Sequence, residues 1–503
     1  MAVQAQGQLW FEGKRPSSQA DQAVELLVAS TSHGLEPKDY NAEALKQAVQ
    51  TAEQGPAPST AVAARLDRAL SSAMERYLMD LHRGRIDPKK IQYNFNPPRQ
   101  NFDPATYLQA ALAARRLPQA AAEAAPHLAL YEDLRKVLAY YRERGDDPAW
   151  HQALPALPVS AHGKVPTLAP GQRYAGLSVL AQRLVALGDL AADMALPTKY
   201  EGALVSAVQS FQKRHGIAAD GVIGKGTLVQ LQVTPAARAR QIELALERLR
   251  WTPFKQGPRM IVINIPEFML RAYDVEGDRL HVQQEMKIVV GKSLDRRTPL
   301  FNEEMRFIEF SPYWNVPPSI ARAEIVPTLR RDPGYLAREG MEFVSVDGTA
   351  VDKAVTPARL NAVLAGQWRI RQRPGPKNAL GDIKFVFPNH DNIYLHHTPA
   401  VNLFERERRD LSHGCIRVEQ PVALAKFVLS NMSQWNEARI KKAMSRGVSS
   451  TLRLTEPIPV LISYGTARVD DGQVYFFQDI YGLDQQLDLA LHQRARYAYS
   501  LTD

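Results

Sequence analysis

The only cysteine of the chain lies in the stretch Ser412-His413-Gly414-Cys415-Ile416-Arg417, and His396 stands nineteen residues before that cysteine. A thiol is a weak nucleophile until a base or a positive environment favours the thiolate, and an imidazole is the usual base. One cysteine with histidines on two segments is therefore a candidate nucleophile–base pair. The alternative is a small buried thiol, since free cysteine often packs in protein cores. The residues that surround Cys415 favour the catalytic interpretation.

Both segments together resemble the signature of YkuD-type L,D-transpeptidases, the cysteine enzymes that cross-link bacterial peptidoglycan. That signature is a histidine, a short gap, and then Ser/Thr-His-Gly-Cys followed by an apolar residue and Arg or Asn. The cysteine stretch and Tyr394-Leu395-His396-His397-Thr398-Pro399 supply all of it. The resemblance implies that Cys415 attacks a stem tetrapeptide, that D-Ala leaves a thioester, and that a neighbouring amine completes a 3→3 cross-link. It also implies that carbapenems acylate the thiol.

The resemblance makes His396 the predicted general base. It further implies that the backbone carbonyl of His397 orients that base, as the third group does in other triads. His397 is the rival base, but neighbouring residues on a strand point to opposite faces, so only one of the two can face Cys415 easily. Gly414 permits an unusual φ, and the backbone N–H groups of Gly414 and Cys415 are the predicted oxyanion donors. His413 is expected to support the loop by hydrogen bonding.

Other side chains are predicted to contact the substrate or to shape the pocket. Arg417 can hold a carboxylate bidentately or lower the pKa of the thiol, with a structural ion pair as the alternative. Tyr394 is predicted to line the pocket, with core packing as the alternative. Ser412 is predicted to form hydrogen bonds in the loop beside the substrate. Trp314 and Asn378 are predicted to reach the substrate from an inserted segment.

Composition limits the function classes. The net charge is +9 and the pI about 9.4, which suits an acidic partner, yet the excess is spread along the chain and we find no nucleic-acid motif. A hydrophobic content of 45% is ordinary for a soluble globular protein. One cysteine cannot form an internal disulfide, and no apolar run reaches the length of about 18 residues that a membrane span needs. The chain has no CxxC, HExxH, Walker or dinucleotide pattern, so we expect no metal and no cofactor.

A chain of 503 residues predicts several domains. The predicted fold class is α+β multidomain: a helical scaffold, a three-helix module, and a mostly β catalytic domain with an inserted capping subdomain. Residues 1–165 form the helical scaffold, and the proline-rich segment 151–170 is interpreted as a linker. Residues 172–234 form the three-helix module, in which Val208 and Phe211 share a face. Its Phe-Gln, His-Gly and Asp-Gly-x-x-Gly strings resemble a peptidoglycan-binding domain, the alternative being a structural spacer.

The remaining residues change from helical to strand patterns. Residues 235–257 are predicted as a linker helix and 258–455 as the catalytic domain, which resembles the YkuD type throughout. The insertion 315–376 resembles the capping subdomain of the large L,D-transpeptidases of Gram-negative bacteria. Insertions of this length are usually functional, and a surface excursion is the alternative. Residues 456–503 are predicted as a final hairpin and helix.

The leading hypothesis is an L,D-transpeptidase acting in the periplasm. One alternative is an L,D-carboxypeptidase, in which water replaces the acceptor amine; another is a non-catalytic peptidoglycan-binding scaffold. Residues 1–7 lack a basic region and an apolar core, so the hypothesis requires an export signal outside this sequence. The expected partners are the donor tetrapeptide and an acceptor amine. Other wall-synthesis enzymes and an inner-membrane association are left open, and we expect a monomer.

Overall fold

The computed structural model describes residues 8–91, 93–95, 101–159, 165–254, 257–277, 279–293 and 296–500. The chain divides into two units: Met1–Pro253 with Gly465–Asp503, and Phe254–Tyr464. No helix in the described ranges has the length and apolar character that crossing a membrane requires.

The first unit is mainly helical, and the second unit is mainly β. The described helices are α1 (Ser18–Val28), α2 (Ala42–Gln54), α3 (Thr60–Arg83), α4 (Pro104–Ala113), α5 (Leu117–Ala124), α6 (Ala129–Glu143), α7 (Leu177–Ala186), α8 (Ala203–Arg214), α9 (Lys225–Gln232), α10 (Pro235–Trp251), α11 (Pro318–Ile320), α12 (Val326–Arg331), α13 (Tyr335–Arg338), α14 (Pro357–Leu364), α15 (Pro421–Val428), α16 (Glu437–Met444) and α17 (Leu483–Ser500). The described strands are β1 (Phe11–Glu12), β2 (Arg15–Pro16), β3 (Tyr93–Asn94), β4 (Arg259–Asn264), β5 (Met269–Glu276), β6 (Arg279–Gly291), β7 (Leu300–Phe310), β8 (Trp314–Asn315), β9 (Met341–Ser345), β10 (Val351–Asp352), β11 (Trp368–Gln372), β12 (Ile383–Val386), β13 (Leu395–His396), β14 (Asp410–Ser412), β15 (Ile416–Val418), β16 (Ser450–Ser463), β17 (Ala467–Asp470) and β18 (Gln473–Phe476). The predicted mixed fold class, with an N-terminal helical region and a largely β C-terminal domain, is confirmed.

A buried carboxylate ties the helices of the first unit together. Glu247 on α10 is fully buried and accepts hydrogen bonds from the backbone N–H groups of Arg85 and Ile86, just beyond the end of α3. Arg250 pairs with the same carboxylate at 2.7 Å. Gly84 ends α3 with a φ of +75°, and a Cβ there would come 2.7 Å from Glu247 Oε1. A buried charge is stable only with such partners. These contacts therefore join the end of α3 to α10.

The three-helix module has its own core, and this core extends beyond the predicted boundary. Leu154, Leu157 and Leu168 are buried in one cluster with residues of α7, α8 and α9. Leu168 also exchanges backbone hydrogen bonds with Ile223, at 2.9 and 3.0 Å. These three leucines of the predicted linker 151–170 therefore belong to the module's core, and residues 160–164 of that segment lie outside the described residues. The prolines suggested an extended spacer, but the leucines between them fill the apolar face of the module.

The chain returns to the first unit at its end. The β17–β18 hairpin packs there, with the ring of Phe476 5.7 Å from that of His215, the residue just after α8. Arg494 on α17 pairs with Asp80 at 2.8 Å. The predicted boundary at 455/456 falls inside β16, which pairs with β4 and β7 in the second unit. The sequence predicts that residues 458–464 pair with 473–477 in a hairpin, but residues 458–463 belong to β16, and the arm that pairs with β18 is β17.

The strands of the second unit close into a barrel. Their order is β12-β13-β15-β6-β5-β4-β16-β7, and β7 pairs with β12 again. A separate antiparallel sheet, β10-β9-β11-β8, forms within residues 314–372. It packs with the neighbouring helices around its own core, which includes Phe343 and Ile370. The insertion is thus a small subdomain, and it leaves the barrel between β7 and β12.

Candidate active site

Two adjacent parallel strands bring the predicted nucleophile and base to one face of the barrel. β13 pairs with β15 so that Leu395 lies opposite Ile416 and His396 opposite Arg417. Leu395 and Ile416 are fully buried in the core. Because side chains alternate along strands, His396 and Arg417 point to the other face. Tyr394 and Cys415, the residues just before β13 and β15, follow the same alternation and point to that face too. The rings of Tyr394 and His396 are 5.8 Å apart.

Cys415, the predicted nucleophile, lies at a tight turn held by Ser412. The Ser412 hydroxyl donates to the carbonyl of Cys415 at 2.6 Å and accepts the N–H of Gly414 at 3.1 Å. Gly414 has a φ of +119°, a region that favours glycine. The Gly414 N–H is therefore already engaged, and the prediction that it donates to an oxyanion needs correction. The N–H of Cys415 is the donor that remains from that prediction.

The thiol of Cys415 is neutral in its resting environment. The residue is half-buried, and its sulfur lies 3.7 Å from the carbonyl oxygen of Asn392, which accepts from the S–H group. Burial raises the pKa of Cys415 above 9.0. Hydrogen bonds from Tyr394 and the charges of Lys384 and Arg417 act in the opposite direction without outweighing burial. A base must therefore take the proton as the sulfur attacks.

His396 has the geometry of a neutral base. It is 4% exposed, and its Nδ1 lies 2.5 Å from the carbonyl oxygen of His397. Since a carbonyl only accepts, Nδ1 carries the proton and Nε2 is left with a free lone pair. Burial, aided by the charge of Arg417, lowers the pKa of His396 to about 3. The imidazole is thus neutral at physiological pH and can accept a proton at Nε2.

The side chain of His397 points to a different neighbour. Its Nδ1 lies 3.4 Å from the backbone N–H of Asp382 and 3.5 Å from the carboxylate of that residue. A Cβ on Gly381 would come within 2.5 Å of the ring, so glycine leaves room for it. The side chains of His396 and His397 therefore point to opposite faces, as alternation along a strand requires. Of the two, only His396 shares the face of Cys415.

Two cations line the same face. Arg417 Nε is buried and has no hydrogen-bond partner among the described residues, and burial lowers the pKa of this guanidinium despite the opposing effect of Cys415. Lys384 lies directly across the β12–β13 pair from His396, with its Nζ 4.4 Å from the centre of the Tyr394 ring and 3.2 Å from Glu309. Burial, followed by the proximity of Cys415, raises the pKa of Tyr394, which keeps its hydroxyl as a donor.

His413 connects the cysteine turn to the capping insertion. Its Nε2 lies 2.7 Å from the carboxylate of Glu324, and Arg296 holds the same oxygen at 2.8 Å. Glu324 belongs to a π-helical turn, Ala321–Ile325, between α11 and α12. Burial alone would raise the pKa of Glu324, but hydrogen bonds from Arg296 and His413 outweigh it and lower the pKa. The predicted loop-supporting residue thus contacts the insertion.

Trp314 and Asn378 are the residues predicted to reach the substrate from the insertion, and only the environment of Asn378 argues against that role. Trp314 is partly buried on β8 and packs against the core of the insertion. Asn378 is only 1% exposed, and its amide donates to the carbonyls of Pro312 and Arg373 at 2.9 and 3.0 Å. Its side-chain oxygen accepts the N–H of Leu380 at 2.8 Å. The prediction for Asn378 is corrected, because a buried amide with both ends engaged cannot contact a substrate.

Three residues near the site were not predicted from the sequence: Lys384, Glu324 and Thr298. Each is brought to the site by strand register or by the fold of a distant segment, which no local motif encodes. The sequence predicts a strand over residues 383–387, and side-chain alternation along it would place Lys384 on the opposite face from Ile383 and Phe385. That pattern does not show which residues Lys384 faces. In the described part of the chain, His, Cys, Asp and Glu form no group of three or more that could hold a metal ion.

Comparison with known proteins assigns the parts of the chain. Residues 258–452 match the YkuD L,D-transpeptidase catalytic domain, residues 173–231 a putative peptidoglycan binding domain, and residues 4–138 a scaffold domain. A putative L,D-transpeptidase from Haemophilus influenzae is 32% identical over 255 residues, which is 50% of this chain and 49% of that protein. The chain therefore spans about half the length of this curated relative.

Solved structures show weaker similarity. An L,D-transpeptidase from Stackebrandtia nassauensis is 14% identical and covers 63% of this chain and 100% of its own, with a TM-score of 0.25. An L,D-transpeptidase from Xylanimonas cellulosilytica is 16% identical and covers 62% of this chain and 100% of its own, with a TM-score of 0.18.

Proposed function

Because the chain carries a YkuD-type L,D-transpeptidase catalytic domain and a peptidoglycan-binding domain, we propose that it is a cysteine L,D-transpeptidase that forms 3→3 cross-links in peptidoglycan. One observation supports this proposal above the others. Cys415 and His396 share a face of two paired strands, and the Nδ1 of His396 is fixed on a carbonyl so that its Nε2 is a free acceptor. A buried neutral imidazole on the same face as a neutral thiol is suited to general-base activation of a nucleophile.

The proposed reaction has two acyl-transfer steps. His396 Nε2 accepts the proton of Cys415 as the sulfur attacks the carbonyl carbon that joins the L-centre to D-Ala. The carbonyl oxygen becomes an oxyanion, the C–N bond breaks, and His396 returns the proton to the departing amine of D-Ala. The acceptor amine then attacks the thioester, the C–S bond breaks, and the proton of that amine returns to Cys415 by way of His396.

The charge of the site supports an anionic donor. The stem peptide carries carboxylates, and Arg417 offers a buried Nε with no hydrogen-bond partner in the described ranges. A guanidinium pairs with a carboxylate more strongly than with neutral groups. We therefore assign Arg417 to the donor carboxylate and the N–H of Cys415 to the oxyanion. The module at 172–234 would hold the enzyme on its polymer, and this function implies a location at the cell wall or in the periplasm.

Incubation with disaccharide-tetrapeptide and mass analysis of the products test the proposal. A dimer lacking one D-Ala is expected from the parent protein, and Cys415→Ala should give none. A tripeptide without dimer would make the protein an L,D-carboxypeptidase instead. Unchanged substrate with the parent protein would favour the non-catalytic scaffold. Full activity of Cys415→Ala would show that the nucleophile is misassigned.

A further inference from the structure

A buried hydroxyl joins the end of β6 to the cysteine turn. Thr298 is 1% exposed and lies in the connection between β6 and β7. Its Oγ1 is 2.9 Å from the N–H of Gly291, the last residue of β6, and 2.7 Å from the carbonyl oxygen of Gly414. The Gly414 carbonyl belongs to the peptide bond that leads into Cys415, so Thr298 contacts the nucleophile through a single peptide plane.

The direction of these two hydrogen bonds is fixed by chemistry. A hydroxyl has one proton and accepts with its lone pairs. The Gly291 N–H can only donate and the Gly414 carbonyl can only accept, so the Thr298 proton must point at Gly414. At this depth water does not compete for either bond, and leaving either partner unpaired is costly. The Gly414 carbonyl is therefore held in one orientation.

That orientation also sets the direction of the Cys415 N–H. The C=O and N–H of a trans peptide are coplanar and point in opposite directions. With the Gly414 oxygen drawn towards Thr298, the Cys415 N–H must point away from it. Gly414 has a φ of +119° and, as a glycine, has wide conformational freedom, so rotation of this peptide plane needs an external restraint.

Two other backbone groups of the turn already have hydrogen-bond partners. The Gly414 N–H is bonded to Ser412, and the Cys415 carbonyl accepts from the same hydroxyl. The turn therefore has the N–H of Cys415 as its donor to an oxyanion at the sulfur. A donor that must meet the oxyanion within a few tenths of an ångström loses its effect when the peptide plane tilts.

We propose that Thr298 is a positioning residue for acyl transfer, which fixes the Gly414–Cys415 peptide so that the Cys415 N–H meets the oxyanion. The inference rests on the proposed function, because only an acyl-transfer reaction forms that oxyanion. In this proposal Thr298 acts through the Gly414 carbonyl and not as a catalytic group. Its contribution concerns the stabilisation of the tetrahedral intermediate and not the nucleophilicity of the thiol.

Two reactions at the same sulfur separate these effects. Meropenem acylates a thiolate by addition to a carbonyl, which forms an oxyanion, whereas iodoacetamide is attacked at a saturated carbon and releases iodide without one. Thr298→Val keeps the shape and removes the hydroxyl. We expect it to slow acylation by meropenem on the order of 100-fold. Iodoacetamide alkylation of Cys415, followed by intact mass, should stay within about twofold of the parent rate, because no oxyanion forms.

Conservative rescue and a second variant complete the test. Thr298→Ser retains the hydroxyl and should restore acylation to within a few-fold of the parent. If Thr298→Val does not fold, Thr298→Ala is measured in the same way. Equal losses in both reactions would mean that the residue only maintains the loop, and unchanged acylation would mean that it has no role; either result overturns the inference. A parent protein that meropenem does not acylate and that leaves tetrapeptide unchanged refutes the proposed function, and the inference falls with it.

Discussion

Replacing Asn378 with alanine should destabilise the second unit without weakening substrate binding. Three hydrogen bonds connect this buried amide to Pro312, Arg373 and Leu380, at distances between 2.8 and 3.0 Å. A hydrogen bond contributes about 1 kcal/mol to the net free energy of unfolding, and partners left unpaired in a buried site cost more. We therefore expect a loss of about 3 kcal/mol in the stability of the catalytic unit.

Calorimetry and hydrogen exchange measure this loss. The thermal transition of the second unit should shift to lower temperature, and amide exchange should accelerate over residues 373–381, which contain two of the three partners of Asn378. The Michaelis constant for disaccharide-tetrapeptide should stay within about twofold, because the amide has no exposed surface to offer a ligand. Asn315→Ala is the matched control, since that asparagine is exposed on β8 and its loss should leave the transition nearly unchanged.

The reverse pattern would refute this reasoning. If Asn378→Ala raised the Michaelis constant tenfold and left the thermal transition in place, the side chain would contact the substrate after all. The original prediction from the sequence would then be restored, and the loop would have to open in solution to expose the amide.

Three further predictions concern ionisation and the insertion. His396→Ala should slow acylation by about 10²- to 10⁴-fold, the range for loss of a general base, whereas His397→Ala should cost less than about tenfold; the opposite ranking would exchange their roles. Because burial raises the pKa of Cys415 above 9.0 and lowers that of His396 to about 3, alkylation of the thiol should keep rising beyond pH 9; a midpoint below 7 would reveal a resting ion pair. The lowered pKa of Glu324 means that its stabilisation is present above the ordinary value of 4.5 and is lost as the pH falls below it. The thermal midpoint should therefore drop more steeply below pH 4.5 in the parent than in Glu324→Gln. Identical profiles would show that the ionised carboxylate of Glu324 does not contribute to stability.

Contiguous strings predicted the parts of the site that the chain builds locally. The turn at Ser412–Cys415 follows from one motif, because glycine and a hydroxyl residue define its geometry within four positions. Side-chain alternation along a strand predicted, from the sequence alone, that His396 and His397 point to opposite faces. The same reasoning failed for Asn378, which stands in a string that resembles a capping segment. Whether an amide faces a ligand or bonds its own loop depends on the carbonyls around it, and one of those here belongs to Pro312, about 66 residues earlier.

Register and burial account for most of what the sequence did not predict. Lys384 meets His396 only because β12 and β13 pair in one particular register. Thr298 reaches Gly414 because the β6–β7 connection folds back under the cysteine turn. Leu154 and Leu157 looked like spacer residues because prolines separate them, yet a nearby apolar face was available to cover them. Each case depends on a partner far away in the chain, and hydrophobic periodicity carries no information about that partner.

The charged groups of the site are better suited to stabilise negative charge that forms during the proposed reaction than a thiolate that exists before it. At rest the thiol and the imidazole are both neutral, because burial penalises the ionised form of each. Lys384 and Arg417 nevertheless face the same space, and their attraction grows only when negative charge appears on the sulfur or on the oxyanion. Interactions that are stronger in the transition state than in the ground state are those that accelerate a reaction. In the proposed reaction, Lys384 and the oriented Cys415 N–H are therefore better placed to stabilise the tetrahedral intermediate than to stabilise a resting thiolate, while Arg417 holds the donor carboxylate.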